Sequence, residues 1–106
     1  MLALNKVILI GILPEEPKLT YAENGTPQCS FTLLIEEKGQ EHTFRLYVPV
    51  DVFGDRAEKV AESISVADTV LVDGKLRWRS WFDKKGEKQG KLAVLAWSVE
   101  KADAKV

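Results

Sequence analysis

The stretch VLVDGKLRWRSWFDKKGEKQGKLAVLAWSV, residues 70–99, decides the fold. Val70, Val72, Leu76 and Trp78 share one parity, while Lys75, Arg77, Arg79 and Trp81 share the other. A period of two belongs to a β-strand, whose successive side chains point to opposite faces. The turn-rich DKKGEKQG then separates this strand, expected at about 68–82, from another at about 90–99. The first face is apolar and predicts a core, with Trp78 in it. The second face mixes cations with an aromatic ring, which a buried surface would not tolerate.

Upstream, residues 42–53 alternate in the same way. Phe44, Leu46, Val48, Val50 and Val52 are expected inward, and Arg45, Tyr47, Pro49, Asp51 and Phe53 outward. Pro49 lacks an N–H, which predicts an edge position or a bulge. Residues 27–36 alternate too, with Cys29, Phe31, Leu33 and Ile35 on one face. Residues 5–13 are apolar on both faces, as for a strand covered on two sides in a barrel or between subunits. Residues 55–64, DRAEKVAESI, read as a helix with Asp55 as its cap and Ala57, Val60, Ala61 and Ile64 as its apolar stripe. Five strands with one short helix between the third and fourth predict an all-β OB-fold, a five-stranded partly open barrel.

At 106 residues the chain is expected to form one domain, 1–106. No apolar run approaches the roughly 20 residues that span a bilayer, so no membrane partner is expected. Cys29 is the sole cysteine, which precludes an internal disulfide and favours a cytoplasmic, nucleoid-associated location. The net charge of −1 hides an asymmetry. Residues 75–91 hold seven cations against two acids, a local +5 that leaves −6 on the remainder. Such a strip fits a defined polyanion-binding surface, or a solvated lysine-rich hairpin.

Catalysis finds little material. His42 is the single histidine and has no nearby cysteine; zinc-ligand spacing and a phosphate-cradling loop are both missing. Glu15-Glu16 and Glu36-Glu37 read as solvated loop charge. No enzyme activity, cofactor or metal is expected.

The aromatics carry the functional signal. Tyr47, Phe53 and Trp81 lie opposite the apolar faces of their strands, alongside Arg45, Lys75, Arg77 and Arg79. An outward tryptophan needs a cover, and a nucleic-acid base supplies one, because every base has a π-face. Lys84, Lys85 and Lys88 extend the cationic strip into the hairpin, where they would meet phosphates. Phe53 also fits a plug at the end of the barrel. Trp97, in a strand apolar on both faces, fits core or a subunit contact better than DNA. Asp51 on the proposed binding face works against an anionic ligand.

NKVILIGIL at 5–13, NGTPQCSFTLLI at 24–35, FGDRAEKVAE at 53–62 and VLVDGKLRWRSWFDKKGEK at 70–88 resemble the bacterial single-stranded DNA-binding protein family over nearly the whole chain. The resemblance implies an OB-fold, sequence-tolerant DNA wrapping in replication, recombination or repair, and homotetramers, with a dimer as the alternative. It also implies base stacking at Tyr47, Phe53 and Trp81. Two family features are absent from the sequence. The loop EEKGQE lacks a further stacking tryptophan, and the chain stops at KADAKV without the acidic tail that recruits replication and repair proteins. GTPQCSF and YVPVDVFG are also similar to primosomal replication protein B, a tailless dimeric relative. That similarity supports the alternative of an adaptor for replication restart acting mainly through protein contacts. RNA binding, as in cold-shock-type barrels, stays open, since a stacking platform accepts either sugar.

Overall fold

A computed structural model of the protein describes residues 1–102; the chain end read above, 103–106, lies outside the described residues. The elements are β1 (Val7–Ile12), β2 (Lys18–Tyr21), β3 (Pro27–Lys38), β4 (Thr43–Phe53), α1 (Asp55–Ser63), β5 (Thr69–Phe82) and β6 (Lys88–Lys101). The third and fourth strands of the sequence reading are therefore β4 and β5. The additional strand, β2, is four residues long and exposed throughout, so it carries no burial alternation that a sequence pattern could reveal.

The sheet runs β1-β5-β6-β4-β3-β2, and a further β1–β3 pairing at Ile12↔Leu34 closes five of the strands into a ring. The ring is irregular. β4 and β6 pair in parallel only at Val50↔Val94 and Asp51↔Leu95, whereas β3–β4 and β5–β6 form long antiparallel ladders. A five-stranded, partly open barrel with a helix between β4 and β5 is the OB-fold expected from the sequence. Pro49 precedes the short β4–β6 pairing, where β4 is otherwise an edge.

Inside the ring lie Leu13, Cys29, Phe31, Leu33, Val50, Val52, Val70, Val72, Val94 and Ala96. Each larger aliphatic, such as Leu33, contributes about 1.5–3 kcal/mol by leaving water. α1 closes one end with Ala57 and Val60, and Ile64 follows as its C-cap. The cap differs from expectation. Gly54 is the N-cap, with φ of 84° and no side-chain cap bond, while Asp55 is the first helical residue. A left-handed φ suits glycine, and an acidic first turn still complements the helix dipole.

Several inward assignments need correction. Phe44, Leu46 and Trp78 are exposed, Trp78 by 62%. They keep the core-facing parity, but the β3–β4 and β5–β6 hairpins run past the barrel, so they stay largely uncovered among the described residues. Trp78 instead lies across Gly90, where an added Cβ would sit 2.3 Å from its ring. β1 is also covered on one face only: Val7, Leu9 and Leu13 meet the core, while Ile8, Ile10 and Ile12 are exposed.

Candidate nucleic-acid interface

The outer face of β3, β4, β6 and β5 is one continuous surface, because their ladders keep the odd residues of β4 and β5 in phase. Leu34↔Tyr47, Asp51↔Leu95 and Arg79↔Lys91 are facing pairs on it. Tyr47, Phe53 and Trp81 point outward from this face, exposed by 62%, 41% and 42%. Phe53 is therefore no internal plug.

Cations stand over two of these rings. The Arg77 guanidinium lies 5.3 Å from the Phe53 centroid, and the Lys91 ammonium 5.8 Å from that of Trp81. Such contacts contribute about 0.5–1 kcal/mol at exposed sites. They also hold charge where a stacked base would bring its phosphate. Lys91 sits inside the basic strip, but alternation within a single strand does not single it out. Its register opposite Arg79, which puts it next to Trp81, comes from the cross-strand pairing alone.

Two of the predicted phosphate contacts are already paired. Arg45 bonds Glu36 at 2.8 Å across the exposed β3–β4 ladder. Arg79 binds Asp51 through Nε at 3.1 Å and through Nη2. Asp51 is not the solvent-facing blemish expected from its parity; it is 1% exposed. Ser30 Oγ donates to the same carboxylate at 2.9 Å, so the buried charge has three donors. The outer face thus carries no open carboxylate at this point. Lys75 and Arg77 form no ion pair among the described residues.

The hairpin that carries Lys84, Lys85 and Lys88 is shaped by Asp83. Its carboxylate accepts the backbone N–H groups of Glu87 and Lys85, both at 2.9 Å, and the Gln89 amide at 3.1 Å. The Glu87 bond foremost, with the others, holds the Asp83 carboxyl below its ordinary pKa. Gly86 takes the left-handed turn position at φ 81°. The three lysines are thereby presented at a structured tip rather than on a loose loop.

Cys29 is buried, and burial pushes its thiol up to about 11, so it stays protonated and inert. Among the described residues no cluster of three metal-ligating side chains occurs, and no helix is long and apolar enough to cross a membrane.

An OB barrel whose outer sheet face exposes rings beneath cations has the build of a stacking platform for single strands. The Single-strand binding protein family profile matches residues 4–102. The chain is similar to the single-stranded DNA-binding protein of Aquifex aeolicus, with 37% identity over 91% of this chain and 68% of that protein. It is 34% identical to single-stranded DNA-binding protein 2 of Clostridium acetobutylicum, over 92% of this chain and 75% of the other. With single-stranded DNA-binding protein 1 of Xylella fastidiosa it shares 31% identity over 91% and 75%. The chain belongs to the Single-strand binding protein family.

Proposed function

We propose that the protein binds single-stranded DNA with little sequence preference, in replication, recombination or repair, and without catalysis. Tyr47, Phe53 and Trp81 stack on bases, while Lys75, Arg77, Lys84, Lys85, Lys88 and Lys91 meet phosphates. Arg45 and Arg79, paired with Glu36 and Asp51, keep lesser shares of that role. The observation that carries this reading is the set of three rings on one outer face, two of them beneath cations that form no ion pair among the described residues. Stacking supplies about 1–3 kcal/mol per base and is indifferent to base identity.

Self-association belongs to the same proposal. Ile8, Ile10 and Ile12 form an uncovered apolar row on β1, opposite the core-facing residues of that strand. A second copy would cover it, in a homo-oligomer located in the cytoplasm with the DNA. Asp51, buried and paired with Arg79, does not repel a phosphate from this face.

Titration with oligo-dT tests the function. Marked quenching of tryptophan emission, reversed by salt, is expected; no quenching at low salt would contradict DNA binding. Poly-rU in the same titration separates DNA from RNA preference.

A further inference from the structure

We propose that Trp97 is an additional nucleotide-stacking platform, extending the strand path beyond Phe53 toward α1. The inference rests on the DNA-binding reading above and adds a subsite to it.

Trp97 shares the outer side of β6 with Leu95 and lies at a β-bulge. β5 and β6 pair Asp73↔Ser98 and then Gly74↔Ala96, which leaves Trp97 as the extra residue on β6. The bulge lets both Ala96 and Val99 keep to the inner side although two residues, Trp97 and Ser98, lie between them. Gly74 makes this close approach feasible: a Cβ there would lie 2.2 Å from the Leu95 carbonyl oxygen. The Arg56 guanidinium, from α1, donates to the Trp97 carbonyl and anchors the bulged backbone. The ring is not in the core; it is 43% exposed.

The surroundings match those of the other rings. The Lys75 ammonium lies 5.5 Å from the Trp97 centroid, as Arg77 lies 5.3 Å from Phe53. Lys75 and Arg77 are two residues apart on one face of β5, about 7 Å along the strand. A cleft of about 430 Å³ joins the two rings, lined by Phe53, Asp55, Arg56, Leu95, Ala96 and Trp97. Its apolar floor accepts a base and Lys75 takes the adjoining phosphate, moving off the ring face as the base arrives. Asp55 is the one acidic residue of that lining. On the opposite side of Trp97, Arg56, Lys59 and Glu100 line a second cleft, which has no second aromatic ring to continue a stack. The path therefore enters from Phe53, where a second ring with Arg77 over it continues the stack.

The test uses the full chain and oligo-dT of graded lengths. Trp97→Ala is expected to weaken binding to long oligo-dT by about fivefold to a hundredfold, the effect of losing one stacked base. Trp97→Phe should restore most of the affinity, with melting temperature and sedimentation unchanged in both. A Trp78→Phe, Trp81→Phe protein, whose emission comes from Trp97 alone, should be quenched at saturating oligo-dT. Parental affinity in Trp97→Ala together with unquenched Trp97 emission overturns the subsite while the parent still binds DNA. A Trp97→Ala protein that falls to a smaller assembly marks the ring as a subunit contact and also overturns it. Failure of the parent itself to bind would instead refute the underlying reading.

Discussion

Arg79 on β5 reaches across β6 to grip the buried carboxylate of Asp51 on β4, using Nε and Nη2 together. β4 and β6 share only two ladder pairs, so this ion pair ties the barrel where its hydrogen bonding is thinnest. Removing the guanidinium would leave a charge in a site 1% exposed to water. Arg79→Ala is expected to cost about 3 kcal/mol in urea unfolding, the low end for a broken buried pair because Arg79 is partly solvated. Replacing both partners, Asp51→Val with Arg79→Leu, should recover most of that loss. A single variant as stable as the parent would show that the pair carries no structural role.

The same pair separates two neighbouring cations in their response to salt. Arg77 has no acidic partner among the described residues, whereas Arg79 is neutralised by Asp51. Each phosphate neutralised on a single strand contributes about 0.7 to the slope of log affinity against log salt. Arg77→Ala should make that slope shallower by about this amount. Arg79→Lys, which keeps the charge beside Asp51, should leave it nearly unchanged. Equal slopes for the parent and Arg77→Ala would remove Arg77 from the phosphate contacts.

Much of this architecture is legible in the sequence, and the limits have physical causes. Parity along β4 and β5 correctly sets Tyr47, Phe53 and Trp81 on the face opposite Val50, Val52, Val70 and Val72. Parity says nothing, however, about where a strand leaves the barrel. Phe44, Leu46 and Trp78 therefore read as core although they project on hairpins. Nor does parity report what lies across the sheet. Asp51 faces outward by alternation, yet Arg79 from two strands away covers it. The bulge at Trp97 depends on register between strands far apart in sequence, which alternation within β6 cannot encode. β2 has no buried face and so leaves no trace at all.

The hairpin tip should respond to acid. Asp83 has its folded pKa depressed, chiefly by the Glu87 amide, so it stabilises the tip when ionised. That contribution is complete above the ordinary aspartate value, near 3.9. It is lost as pH falls through the lower folded value. Hydrogen exchange read by NMR should show the Lys85 and Glu87 amides losing protection on acidification before the core amides do. Asp83→Ala should abolish that early step and leave these amides unprotected at neutral pH. Protection that survives to the global acid transition would contradict the assignment.

Base stacking on the outer face is most directly tested at Trp81, which carries Lys91 above its ring and lies outside the core. Equilibrium titration of Trp81→Ala with oligo-dT at fixed salt should show affinity reduced by about fivefold to a hundredfold, with unfolding unchanged. Affinity equal to that of the parent would contradict the claim that bases stack on this face.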